Sequence, residues 1–295
     1  MKILLFGANG QVGWELQRSL SPLGELVALD RRSPDLCGDL TDLNGIKDTV
    51  QRVAPDVIIN AAAYTAVDKA ESDVAAAQLV NAAAPGELAQ AANAIGALFV
   101  HYSTDYVFDG SGSTPWVETD PTGPLNVYGT TKLAGEQFIA SQCPNHLIFR
   151  TSWVYSARGG NFAKTMLRLA GQRESLSVIN DQFGAPTGAD LLADATAHAI
   201  RQLLSRPQDA GTYHLAAGRQ TTWFDYVNYV IDQQMVAQKS PKIIVKTILP
   251  VPTSAFPTPA ARPHSSRLNT AKFRQTFGLH LAPWQTGVAR MLAEI

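Results

Sequence analysis

Tyr128 and Lys132 stand four residues apart in Tyr128-Gly129-Thr130-Thr131-Lys132-Leu133-Ala134-Gly135-Glu136. On a helix that spacing puts both side chains on one face, about one turn apart. A phenol becomes a useful proton donor or acceptor when its pKa moves towards the working pH, and a neighbouring ammonium favours the phenolate. The pair is therefore a candidate acid–base site, with Lys132 expected to hold the Tyr128 pKa low. On its own it equally describes two residues of a surface helix. A catalytic reading needs a cofactor site upstream and a polar partner for a substrate, and the chain has both.

The cofactor signal is Gly7-Ala8-Asn9-Gly10-Gln11-Val12-Gly13, set between a short apolar run at 2–6 and an amphipathic stretch at 14–20. Strand, glycine turn, helix is the context in which glycines let a backbone approach a pyrophosphate, with the helix N-terminus supplying free N–H groups. A second strand at 25–29 ends in Asp30, about 20 residues on, where an acid suits adenosine ribose hydroxyls. Arg31 and Arg32 follow at once and suit a 2′-phosphate. The residues thus leave NADH and NADPH both open.

These residues need a scaffold. Residues 42–53 read as a crossover helix and 56–60 as a third strand, followed by three alanines at 61–63 and Tyr64-Thr65. Residues 74–95 are alanine-rich and helical by propensity. A fourth strand at 97–102 delivers Ser103-Thr104-Asp105 to the same edge, a Pro/Gly-rich run at 110–124 reads as a loop over it, and 146–150 reads as another strand. The expected fold is α/β, a Rossmann-like doubly wound parallel sheet. Beyond about 151 the texture changes to helices at 161–170, 189–204 and 223–236 with brief apolar runs such as 176–179. Residues 250–263 carry five prolines and read as extended. The expected division is a dinucleotide-binding Rossmann domain at 1–150 and a mainly substrate-binding lobe at 151–295. Its boundary is soft, because a late strand is expected to return to the sheet.

Composition narrows the class. Hydrophobic residues make up 45% and charged residues 17%, with a net charge of −1, which argues against a protein built to bind nucleic acid or an anionic membrane. No apolar run reaches the roughly 18 residues of a spanning helix, and Gly7 and Asn9 interrupt the apolar start too early for a signal peptide. Two cysteines, Cys37 and Cys143, give neither a metal spacing nor a disulfide framework, so a cytoplasmic location is expected.

Gly7-x-x-Gly10-x-x-Gly13, Thr104 and Tyr128-x-x-x-Lys132 together resemble the extended short-chain dehydrogenase/reductase superfamily. The stretches 103–110, 128–136, 150–155 and 181–187 narrow the resemblance to its sugar-nucleotide reductases, over essentially the whole chain. The resemblance implies that Gly7 and Gly13 shape the turn while Gly10, Gln11 and Val12 meet the pyrophosphate. It implies that Asp30, Asp39 and Leu40 serve the adenosine end, and that Ala62, Ala63, Tyr64, Thr65 and Tyr102 line the rest of the groove. Thr104 and Asp105 would hold the sugar, Tyr128 would give the proton, and Lys132 would bind the nicotinamide ribose and tune Tyr128. Trp153 would contact the sugar nucleotide.

The implied reaction is reduction by NADPH or NADH of the C4 ketone of a dTDP-linked sugar. It is the last step to dTDP-L-rhamnose, a precursor of cell-surface polysaccharide. Some members are implied to be magnesium-linked homodimers, which makes Glu15 and Asp190 candidate metal ligands, with Asp190 one methylene shorter than the expected Glu. Arg262-Pro263-His264-Ser265 also departs from the pattern, with Ser in place of Asn. A dehydratase is disfavoured because Tyr106, and not a carboxylate, follows Thr104-Asp105. A 4-epimerase that keeps its NAD shares the triad, and a non-catalytic regulatory subunit remains a rival of another class.

Overall fold

The computed structural model describes residues 1–237 and 242–295. Its frame is one sheet of six strands: β1 (Lys2–Phe6), β2 (Glu25–Leu29), β3 (Val57–Asn60), β4 (Leu98–Thr104), β5 (His146–Thr151) and β6 (Gly211–His214). The spatial order is β6-β5-β4-β3-β1-β2, and every neighbouring pair is parallel. The chain moves outward from β1 in both directions, so the connections diverge between β1 and β3. A crevice opens at the carboxyl ends of the strands at such a switch point.

Alternation along the strands explains the two layers of helices. Ile3 and Leu5 of β1 join one apolar cluster, against Leu16, Leu20 and Ile200 of the helices Gln11–Leu20 and Ala189–Leu203. Leu4 and Phe6 join the other, against Val50, Leu88 and Ile139 of Leu43–Val53, Ala84–Ala94 and Val127–Gln142. A strand buried on both faces reads as a continuous apolar run, which is why 2–6 and 56–60 look unpatterned in the sequence.

The helical stretch expected over 74–95 is present but not uniform. Val74–Gln78 and Ala84–Ala94 are joined by a π-helical turn at Leu79–Ala83. Pro85 has no N–H to return to the carbonyl four residues back, at Asn81, so the ladder opens there. In the same turn the Asn81 side chain accepts from the Tyr64 N–H at 2.8 Å and donates to Thr131 Oγ1 at 3.2 Å. A break in regular helix thus pins the loop after β3 to the helix that carries Tyr128.

Beyond residue 151 the chain does two things. The helix Ala189–Leu203 and strand β6 return to the main sheet, with the Tyr102 hydroxyl bonded to Thr196 Oγ1 at 2.7 Å. The helices Phe162–Ala170, Trp223–Ala237 and Trp284–Glu294 gather instead around apolar clusters of their own. Thr247–Val251, which runs into the proline-rich stretch, pairs in parallel with Ser175–Ile179, and a short 3₁₀ turn at Thr253–Ala255 interrupts the extended run expected over 250–263.

Candidate active site

The groove at the switch point holds about 630 Å³. Gly7 sits at φ +87°, and a Cβ there would lie 2.7 Å from the Ala62 backbone nitrogen. A Cβ on Gly13 would lie 2.0 Å from the Gly7 carbonyl oxygen. Both positions therefore require glycine, for a left-handed turn and for close helix–strand packing respectively. Gly10 precedes the helix Gln11–Leu20 with no side-chain cap, which leaves the first N–H groups facing the groove. Of the residues expected at the cofactor, Gly7, Gly10, Gln11, Val12, Asp30, Ala62, Ala63, Thr65, Tyr102, Tyr128 and Lys132 line it together.

Four expected residues do not line the groove. Gly13 is inside the helix, and Leu40 is packed in the core. The Asp39 carboxylate accepts from Thr41 and pairs with Arg31 at 3.1 Å. The Tyr64 hydroxyl is turned to Asp73 at 3.0 Å. Conversely, Asn9, Thr151 and Val154 line the groove without having been assigned to it, and so does Ser103, which the sequence placed at this edge without a role. Ser103 Oγ, Thr151 Oγ1 and Gln11 Oε1 are buried without a partner among the described residues. Buried orphan hydroxyls and amides are rare unless a ligand satisfies them, so the residues fit a bound nicotinamide cofactor. At the adenosine end, the Asp30 carboxylate accepts from the Arg32 N–H at 2.6 Å and from the Asn9 amide. Arg32 makes no ion pair among the described residues.

Tyr128 and Lys132 share a face of Val127–Gln142, as their spacing requires. Asn126 caps this helix by accepting from the Gly129 N–H at 2.8 Å. Glycines let it settle closely: a Cβ on Gly135 would lie 2.2 Å from the Asn81 carbonyl oxygen. One turn past Lys132, Glu136 accepts from Arg150 of β5 through Nε at 3.0 Å and Nη2 at 2.7 Å. That buried pair anchors the helix to the sheet, and removing one partner would cost about 3–5 kcal/mol.

The electrostatics of the pair differ from the expectation. Burial pushes the Tyr128 phenol up to about 12, against the Thr104 hydroxyl and with the Asp105 charge adding to the rise. Lys132 does not hold it low, because its Nζ is engaged elsewhere: it donates to the Tyr102 carbonyl at 2.6 Å and meets His101 Nε2 at 3.0 Å. Burial also pushes the Lys132 ammonium down to about 8, with Glu136 pulling the other way. Tyr128 is thus kept protonated, the state a proton donor needs. Beside it the Thr104 hydroxyl donates to Asp105 Oδ1 at 3.1 Å and accepts from the Tyr106 N–H at 3.2 Å. Burial pushes the Asp105 carboxyl up to about 7, against hydroxyls from Ser266 and Thr104.

The Tyr106 ring meets Tyr128 edge-on, with centroids 5.7 Å apart, and lines a second cavity of about 540 Å³. Phe162, Trp223, Gln182, Arg173 and Arg262 line it with Tyr106. Trp153 lines neither cavity. It is held at φ +49°, its face stacked on Trp223 at 3.5 Å and its edge against Gly184. A non-glycine residue in that region is strained, and strain of this kind gathers at ligand sites.

The donor set this chain offers at the expected magnesium site is small. Glu15 and Asp190 share a cavity of only about 40 Å³ with Arg290. Glu15 pairs with Arg18 at 3.5 Å and Asp190 with Arg290 at 3.4 Å. No group of three His, Cys, Asp or Glu side chains suited to a metal exists among the described residues.

A parallel sheet with its groove at the switch point, and a Tyr–Lys pair under that groove, define an extended short-chain dehydrogenase/reductase. The particular family follows from comparison with known proteins. The model of the RmlD substrate binding domain family matches residues 1–295. The dTDP-4-dehydrorhamnose reductase of Shigella flexneri is 61% identical over 295 residues, covering 100% of this chain and 98% of that one. The crystal structure of the dTDP-4-dehydrorhamnose reductase of Clostridium acetobutylicum superposes with a TM-score of 0.89 at 35% identity, covering 99% of each chain. That of Bacillus anthracis, in complex with NADP, superposes at 0.87 with 34% identity, covering 100% of this chain and 99% of the other. The chain belongs to the dTDP-4-dehydrorhamnose reductase family.

Proposed function

We propose that this enzyme reduces the C4 ketone of dTDP-4-dehydro-β-L-rhamnose to dTDP-β-L-rhamnose with NADPH or NADH, the last step in making this sugar donor for cell-surface polysaccharide. The observation that carries the reading is the position of Tyr128. It lies between a glycine-walled groove suited to a dinucleotide and an aromatic, arginine-bearing cavity suited to a sugar nucleotide. Bound nicotinamide supplies hydride to the C4 carbon. Negative charge then develops on the C4 oxygen, and Tyr128 delivers its proton there. Thr104 hydrogen-bonds the same oxygen, and Asp105 orients the Thr104 hydroxyl and holds the sugar. Lys132 holds the nicotinamide ribose. Gly10, Gln11 and Val12 present N–H groups to the pyrophosphate, and Asp30 meets the adenosine ribose.

The second cavity takes the rest of the substrate. Trp223, backed by Trp153, offers a stacking face for the base, and Arg262 and Arg173 offer charge to the diphosphate. The lobe that builds this cavity is drawn from within 151–295. No helix among the described residues is long and apolar enough to cross a membrane, and Cys37 and Cys143 are free thiols, which supports a cytoplasmic location. Light scattering of the purified enzyme tests the homodimer that the resemblance implies.

The assay is oxidation of NADPH and of NADH with dTDP-4-dehydro-L-rhamnose as acceptor. Stoichiometric turnover of external cofactor is expected. One tightly held NAD, returned unchanged while the sugar is epimerised, would replace the reductase by an epimerase.

A further inference from the structure

The segment that follows β3 and walls the cofactor groove continues past Thr65 into the short helix Val67–Ala70. Asp68 in that helix reaches across to the other half of the molecule. Its Oδ1 accepts from the Ala260 N–H at 3.3 Å and its Oδ2 from Arg262 Nη2 at 2.8 Å. Arg262 Nη1 donates to the Ala260 carbonyl at 3.2 Å. Arg262 lines the substrate cavity, and Asp68 does not.

The main chain around Arg262 is held without Asp68. On one side Asn126, the cap of the helix that carries Tyr128, donates Nδ2 to the Ala261 carbonyl at 2.8 Å. On the other, Pro263 lies against Gly110, where a Cβ would come within 2.3 Å of the proline Cβ. The Ser265 N–H then donates to the Gly110 carbonyl at 3.0 Å. The guanidinium, on its long stem, is what remains to be aimed.

The Asp68 side chain is 43% exposed, and an ion pair that wet adds little to the stability of the fold. Burial alone would raise its carboxyl, but Arg262 and the Ala260 N–H hold it below the ordinary carboxylate range, so it stays charged. Both bonded nitrogens of the guanidinium keep a further hydrogen. Fixing such a group before a ligand arrives removes an ordering cost from binding. Burial and the Asp105 charge push the Tyr106 phenol up, and the Arg262 charge opposes them. That sets the guanidinium beside Tyr106, at the end of the cavity nearest Tyr128. A sugar whose C4 meets Tyr128 brings its linked phosphate to this end.

We propose that Asp68 is a positioning residue, which from the cofactor half of the molecule aims Arg262 at the sugar-linked phosphate of the substrate. The proposal rests on the sugar-nucleotide reading of this cavity.

Asp68→Asn separates aim from anchorage. The amide oxygen can still take the Ala260 N–H, which turns the NH₂ towards Arg262 Nη2, donor against donor. Calorimetry in saturating NADP⁺ uses two probes: dTDP, which carries the sugar-linked phosphate, and dTMP, which lacks it. Loss of one charge-assisted contact should raise the dTDP Kd about tenfold and the dTMP Kd by less than about twofold. Tm and NADPH affinity should stay as in the native enzyme, and KM for the keto sugar should follow the dTDP Kd. In an Arg262→Ala background the same substitution should change the dTDP Kd by less than about twofold, because the two residues act as one.

Equal weakening of dTDP and dTMP would reduce Asp68 to a clip for the chain, and tighter dTDP would make it a screen for the Arg262 charge. An unchanged dTDP Kd, or a native enzyme that binds no dTDP, would remove the role altogether. Each of these overturns the proposal. Should Asp68→Asn fail to fold, Asp68→Ser, whose hydroxyl can take the Ala260 N–H, is read in the same way. An enzyme that shows the expected pattern yet leaves the keto sugar unreduced loses the reductase reading and keeps the proposal. One that reduces the keto sugar without the pattern does the reverse.

Discussion

The groove on one side of Tyr128 is built around glycine turns, a helix N-terminus and the small residues that follow β1 and β3. The cavity on the other side is walled by side chains, Phe162, Arg173, Gln182, Trp223 and Arg262, drawn from separated segments between 151 and 295. The first is suited to the part of the ligand that is the same in every dinucleotide enzyme, a pyrophosphate and two riboses. The second has to distinguish one sugar nucleotide from another. Backbone can provide general recognition at fixed cost, and specificity is left to side chains.

Substitutions can test that contrast. The largest effect is expected at Gly13→Ala, whose new Cβ has only 2.0 Å to the Gly7 carbonyl. Backbone cannot yield there, so a loss of about 3 kcal/mol or more is expected, seen as a lower Tm together with weaker NADPH binding. Normal cofactor affinity at unchanged Tm would show that the groove wall is not rigid. Arg262→Ala comes next. Its Nη2 pairs with Asp68 at 2.8 Å while lining the substrate cavity. Loss of a charge-assisted contact to the diphosphate should raise the sugar-nucleotide KM about 10–100-fold, with NADPH affinity intact. An equal rise for both ligands would erase the distinction between the two sides.

Trp153→Ala should raise the same KM about 2–10-fold, because it removes the stacked support of Trp223 and not a direct contact. If it lowers Tm alone, with normal kinetics in the folded enzyme, Trp153 is ordinary packing. The smallest effect belongs to Asp30→Ala, read as the ratio of kcat/KM for NADPH and NADH. Removing the carboxylate takes a like charge from the 2′-phosphate position and leaves Arg32 beside it, so the ratio should move towards NADPH. Movement towards NADH would show that Asp30 does not meet the adenosine ribose.

The same contrast governs how much was legible in the sequence. The fold was, because a glycine turn between a buried strand and an amphipathic helix has few other uses, and the strands at 2–6, 25–29 and 56–60 announce themselves by apolar runs. Tyr128 and Lys132 were legible as a pair, since four residues on a helix can only share a face. The direction of the Lys132 ammonium was not. It depends on His101, 31 residues earlier and on another element, and nothing local marks that histidine as its partner. Glu15 and Asp190 are neighbours in space, and nothing local marks Arg290 of the last helix as the partner of Asp190. The substrate cavity was hardest to see. Arg173 and Phe162 carry no motif, and only the packing of the helix Phe162–Ala170 and the turn after it against Trp223–Ala237 brings them to Trp223.

The central claim is that Tyr128 gives the proton to the C4 oxygen. Tyr128→Phe keeps the ring against Tyr106 and removes only the acid, so its Tm and NADPH affinity should match the native enzyme. Its single-turnover rate on dTDP-4-dehydro-L-rhamnose should fall by about 10²–10⁴, the span of a lost general acid. A folded, cofactor-competent Tyr128→Phe enzyme that reduces the keto sugar at the native rate would contradict the account.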